Sequence, residues 1–107
     1  MKELNLNELV KIADDVDSVL YGEKSNDDLF RHLLEEIDEL KEETDNVKVW
    51  KDDNHFYTKC RFEQLKELGD VLFCIISIAR QNKLDMAHAL SLTLTKLQER
   101  IKFNINE

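Results

Sequence analysis

Two pairs of carboxylates sit at helical spacing in this chain. Glu36 and Glu39 lie in Leu33-Leu34-Glu35-Glu36-Ile37-Asp38-Glu39-Leu40, and Glu67 and Asp70 in Leu65-Lys66-Glu67-Leu68-Gly69-Asp70-Val71-Leu72. The i, i+3 spacing points both members of a pair the same way on a helix. Two such helices side by side would gather four acidic groups at one spot. Carboxylates crowded in a partly dry site do not all stay ionised without a cation. An all-oxygen ligand set suits a hard ion, Mg²⁺ or Mn²⁺. Taken alone, Glu36 and Glu39 read as a solvated helix face. Asp70 shifts the balance, because Asp is a poor helix-interior residue and this one borders a wholly apolar run. Gly69 beside it costs about 1 kcal/mol relative to Ala in a helix, which a close approach by another helix or a ligand would explain.

The elements that must position these groups follow from composition and periodicity. The chain has 107 residues, the size of one domain with one core, spanning residues 1–107. It has no Pro and only two Gly, which argues for long uninterrupted helices. Leu6, Leu9, Val10, Ala13, Val16, Val19 and Leu20 form a 3.6-period stripe, so a first helix is expected over about residues 4–21. Gly22 breaks it, and Ser25-Asn26-Asp27-Asp28 resembles a capping box opening a second helix to about Thr44. The polar stretch 45–59 reads as a loop, followed by a third helix from near residues 59–62 to about Gln81. Asp85 is the expected cap of a fourth helix over residues 86–103. The expected architecture is an all-α four-helix bundle, with a tail frayed from Asn104. The third helix is apolar nearly all round from Val71 to Ala79. One chain of this length cannot cover every side of it, so a homo-oligomer is expected.

Charge and cysteine usage narrow the partners. A net charge of −8 disfavours nucleic-acid backbones, although an anionic small molecule can bind where a metal supplies positive charge. The longest apolar run is too short to span a bilayer, and no basic-then-apolar opening suggests a secretory signal. Cys60 and Cys74 show neither CxxC spacing nor neighbouring His ligands. A cytoplasmic soluble protein, with no membrane and no nucleic-acid partner, is the expectation.

Glu36-x-x-Glu39, 27 further residues and Glu67-x-x-Asp70, in these flanks, resemble the ExxE…ExxD signature of MazG-type nucleoside triphosphate pyrophosphohydrolases. The likeness extends back to His32-Leu33 and forward to Lys96-Leu97-Gln98-Glu99-Arg100, similar to the family's Lys-xxx-Arg segment. The sequence departs from the family at Leu94, where many members carry Asn. The resemblance implies an all-α MazG-like domain of the compact single-domain subtype, Mg²⁺ dependence and assembly as dimers or tetramers. It also implies hydrolysis of (deoxy)nucleoside triphosphates between the α and β phosphates, in nucleotide-pool house-cleaning. Glu36, Glu39, Glu67 and Asp70 would then be the metal-binding and catalytic residues.

Substrate contacts are expected from Lys96 and Arg100, which would face the phosphates if the fourth helix lines the cleft; the other reading is a solvated basic turn. His32, one turn before Glu36, either touches the nucleotide or is a partly exposed helical His. Trp50 either stacks on a base or anchors its loop on the bundle. Two other functions stay open: a phosphoribosyl-ATP pyrophosphohydrolase-like enzyme, and a non-enzymatic acidic helical oligomer that binds a protein. A di-iron bundle is disfavoured, since it wants Glu-x-x-His motifs that are absent here.

Overall fold

A computed structural model of the chain describes residues 3–106. Among them are four helices and no strand: α1 (Leu6–Leu20), α2 (Asn26–Val49), α3 (Asn54–Gln81) and α4 (Met86–Asn106). The all-α expectation holds. Each helix starts where a short polar side chain takes up an otherwise unpaired backbone N–H. Asn5 accepts from Glu8 N at 2.9 Å, and Ser25 Oγ from Asp28 N at 3.1 Å. Asp53 Oδ1 accepts from His55 N and Phe56 N, and Asp85 Oδ1 from His88 N. α1 and α3 end alike: the chain turns through a positive φ at Gly22 (62°) and at Lys83 (55°). Gly22 N then donates to Asp17 O, and Leu84 N to Ala79 O, closing both helix ends.

The loop expected over residues 45–59 is mostly helix. α2 runs on to Val49 and α3 starts at Asn54, leaving Trp50–Asp53 as the connection. No Gly or Pro interrupts this stretch. Its polar residues pair locally, as Lys41 does with Asp45 at 2.9 Å, and Asp53 supplies a cap. Helix formation needs neither an apolar stripe nor burial along its whole length, so a polar stretch can be helical. The tail expected to fray begins at Asn104; the backbone of α4 continues to Asn106, and Glu107 lies outside the described residues.

The short connection folds α2 and α3 into an antiparallel hairpin, which is the main packing unit. Cross-helix bonds fix its register: Thr44 meets Gln64, His32 meets Cys74 and Asn26 meets Asn82. α1 packs across α3 through the face of Val10, Ala13 and Asp17. The core is small: Leu29, Val71, Cys74, Ile76 and Ala79 are its buried apolar residues. At its centre lies Asp17, only 1% exposed. Ser77 Oγ and Arg80 Nε each donate to Asp17 Oδ2 at 2.8 Å, and Arg80 and Gln81 also donate to the Gly22 carbonyl.

The four helices do not close into a bundle. α4 turns away from the rest, and from residue 87 to residue 103 it is exposed on every side. The radius of gyration, 17.4 Å, exceeds the roughly 13 Å of a compact domain this long. Much of the α1 stripe (Leu6, Leu9, Val16, Val19, Leu20) is exposed too, as are Leu34, Leu65, Leu68 and Leu72. The close approach expected at Gly69 is not made within the chain: a Cβ there would meet nothing within 4 Å.

Candidate metal centre

The hairpin register is what assembles the acidic groups. Because residue numbers rise along α2 as they fall along α3, Glu36 comes opposite Asp70 and Glu39 opposite Glu67. One carboxylate oxygen from each of Glu36, Glu67 and Asp70 lies within 4.8 Å of the others. Glu36 and Glu67 are half-buried and Asp70 is exposed at the edge of the cluster. Glu39 is exposed and stands close enough to hydrogen-bond both Glu36 and Glu67 if either carries a proton.

The electrostatics of the cluster are strained. The Glu36 carboxyl is pushed above the usual glutamate range, first by burial and then by Glu39 and Asp70, with His32 pulling the other way. The Glu67 carboxyl is pushed up as well, by burial first and then by Glu39, Asp70 and Glu36. Like charges this close, partly removed from water, disfavour ionisation. Two oxygens, Glu36 Oε2 and Glu67 Oε2, are buried with no hydrogen-bond partner. Buried acceptors are ordinarily satisfied, and each one left unmade costs about 1–3 kcal/mol. Converging, unsatisfied oxygens of raised basicity fit a divalent cation with oxygen ligands, the donor set that Mg²⁺ and Mn²⁺ take.

His32 joins the cluster. Its Nε2 lies 3.2 Å from Glu36 Oε1, and its Nδ1 lies 3.7 Å from Cys74 Sγ. The ring therefore contacts one Glu36 oxygen and leaves the other unpartnered, the kind of contact by which an outer partner orients a metal-ligating carboxylate. Cys74 is buried, and its thiol is pushed up by burial and then by the charges of Glu36 and Asp70. An inert structural thiol matches that environment.

The other expected contacts lie elsewhere in the chain. Trp50 stands at the hairpin turn, roughly 20 Å along α2 from Glu36, and stacks on Phe56 at 4.8 Å. Lys96 and Arg100 do not reach the carboxylates within one chain: they line a shallow depression formed with Glu99 and Phe103, all on α4. The condition for those contacts, that α4 lines the cleft, is not met within one chain, because α4 packs on neither α2 nor α3 to any extent.

Sequence reasoning missed Asp17 and its partners Ser77 and Arg80. One signal was present: Asp17 falls four residues after Ala13 and seven after Val10, on the face that α1 buries. Neighbouring Asp14 and Asp15 give this segment the look of a charge run.

A family model described as MazG nucleotide pyrophosphohydrolase domain matches residues 24–103. The match spans α2, α3 and most of α4, and leaves out α1. No curated protein and no solved structure matches the chain.

Proposed function

Because the chain belongs to the MazG nucleotide pyrophosphohydrolase family, we propose that it cleaves (deoxy)nucleoside triphosphates between the α and β phosphates. The products are the nucleoside monophosphate and pyrophosphate, and the role is nucleotide-pool house-cleaning. The observation that carries this reading is the meeting of Glu36, Glu67 and Asp70 across the hairpin, with one buried, unpartnered oxygen on each of the two glutamates. Glu36, Glu67 and Asp70, with Glu39 at their edge, are the residues to hold Mg²⁺, with Mn²⁺ a possible substitute. When bound, the cation supplies charge neutralisation for the triphosphate and lowers the pKa of a bound water.

The chain's own residues do the rest. Glu39 and Asp70 are the exposed carboxylates of the four, and Glu39, at the edge of the cluster, is the group to accept a proton from the attacking water. His32 fixes the direction of Glu36 from one side of the cluster. Glu36 and Glu67, raised in basicity first by burial and then by Glu39 and Asp70, bind protons or cations in preference to standing bare.

Phosphate contacts come from Lys96 and Arg100 of a second copy. α4 has no cover in its own chain, while the α2–α3 hairpin exposes both an apolar strip and the acidic cluster. Docking α4 of one chain across the hairpin of another would cover both surfaces and bring basic side chains to the triphosphate. A homo-oligomer, dimer or tetramer, is the form this reading requires.

The test is a panel of ribo- and deoxynucleoside triphosphates with Mg²⁺, read out as pyrophosphate and monophosphate. Stoichiometric release of both from at least one triphosphate, abolished by EDTA, is expected. Release of orthophosphate instead would place the cleavage at another bond, and no turnover of any triphosphate would refute the reaction.

A further inference from the structure

The carboxylate centre has a further rung one helical turn away. His32 lies four residues before Glu36 on α2, and Cys74 lies four residues after Asp70 on α3. The antiparallel register that sets Glu36 opposite Asp70 therefore sets His32 opposite Cys74. His32 Nε2 stands 3.2 Å from Glu36 Oε1, and its Nδ1 stands 3.7 Å from Cys74 Sγ, within reach of a sulfur hydrogen bond. One ring thus links the acidic centre to the buried face of α3.

The protons along this row have one arrangement when Glu36 is a ligand. A carboxylate that holds a cation only accepts, so Oε1 takes the proton carried by Nε2. A neutral imidazole has a single ring proton, which leaves Nδ1 a bare acceptor. The group facing Nδ1 is the Cys74 thiol. Burial first, and then the charges of Glu36 and Asp70, push that thiol up, so it keeps its proton at neutral pH and can donate. The tether matters because His32 and Glu36 belong to one helix and the His32 side chain is 44% exposed. Exposed pairs at this spacing hold their side chains loosely. Cys74, buried in α3, pins the ring from the facing helix. Glu36 Oε2, buried and unpartnered, is the oxygen left over.

We propose that Cys74 is a positioning residue of the carboxylate centre: its S–H donates to His32 Nδ1, His32 Nε2–H donates to Glu36 Oε1, and Glu36 Oε2 is kept for the cation. This role rests on the proposed cation site and not on which nucleotide is cleaved. Outer partners of metal ligands are worth about 10–100-fold in metal affinity, and Cys74, one group further out, belongs at the lower end.

Two measurements test it, neither of which needs turnover. Long-range ¹H–¹⁵N spectra of the intact, metal-free protein labelled at histidine read the ring tautomer, with the exposed His55 and His88 as internal references. The neutral His32 ring is expected to carry its proton on Nε2, with Nδ1 shifted as a hydrogen-bond acceptor; a proton on Nδ1, or an Nδ1 resonance like that of an unbonded ring, overturns the proposal. Titration with Mn²⁺ alone, followed by electron paramagnetic resonance, then compares the chain with Cys74→Ala and Cys74→Ser. Cys74→Ala, which has no donor, is expected to bind Mn²⁺ about tenfold more weakly. Cys74→Ser, which keeps an O–H, is expected to recover part of that loss. A merely structural thiol predicts the opposite order, because a hydroxyl is costlier to bury than a methyl group. Unchanged affinity in Cys74→Ala, or a loss in Cys74→Ser as large as in Cys74→Ala, overturns the role. The tautomer measurement stands even if neither variant folds. Mn²⁺ binding that follows this order in a protein that hydrolyses no triphosphate supports the role and refutes the reaction. Turnover in a protein whose Mn²⁺ affinity ignores Cys74 does the reverse.

Discussion

Ionising Glu36 and Glu67 in the folded chain is unfavourable, since burial and neighbouring carboxylates hold both above the usual glutamate range. The fold therefore binds more protons than the unfolded chain between the ordinary and the raised values. Stability from these two groups is fully present below the ordinary value and is lost as pH rises through the raised one. Thermal melts of the metal-free protein should show that decline, and Glu67→Gln should flatten it. Divalent cation should take over from the proton above the transition, raising the melting temperature at neutral pH. A metal-free melting temperature that climbs across this window would contradict the assignment. For catalysis, Glu67→Gln and Asp70→Asn should each cut Mg²⁺-dependent kcat/KM by at least about a hundredfold while leaving helicity unchanged, since a lost ligand removes much of the metal's contribution. Circular dichroism beside pyrophosphate release decides this, and full activity in both variants would exclude these side chains as ligands.

The helices owe their limits to local chemistry and their arrangement to a few buried contacts. Asp53 alone starts α3 where the polar stretch gave no periodic signal. Asp53→Ala is expected to cost about 1 kcal/mol in urea unfolding, the usual value of a lost N-cap. α1 is pinned to α3 by a buried ion pair rather than by its apolar stripe. Replacing Arg80 with Met leaves the Asp17 carboxylate buried and unpaired, so a loss of about 3–5 kcal/mol is expected. A loss below 1 kcal/mol would show that α1 is held by its apolar contacts instead. Helix α2 and the body of α3 were legible as periodic segments with capping signals. The stretch between them was not, because local charge pairs and a cap can sustain a helix without any burial that a hydropathy pattern would register.

At the scale of the whole molecule, the unclaimed surface sets the expectation. An exposed α4, a half-exposed α1 stripe and an exposed leucine strip on the hairpin leave more apolar surface than a monomer ordinarily tolerates. Light scattering coupled to size exclusion should give a mass that is a multiple of the 12.6 kDa chain, and Leu97→Asp in α4 should shift it toward the monomer. If Lys96 serves the neighbouring chain's carboxylates, inactive Glu67→Gln and Lys96→Ala proteins should regain activity when refolded together; a mixture as inactive as its parts would place Lys96 outside the site. The sequence by itself determined the helices, two of their caps (Ser25 and Asp85), and two carboxylate pairs each sharing one helical face, because periodicity, capping and i, i+3 spacing are local properties. Only the tertiary structure decided that the two pairs meet, since that depends on the antiparallel register of α2 against α3. It alone turned Asp17 inward and set α4 apart, because burial depends on which faces other helices happen to cover.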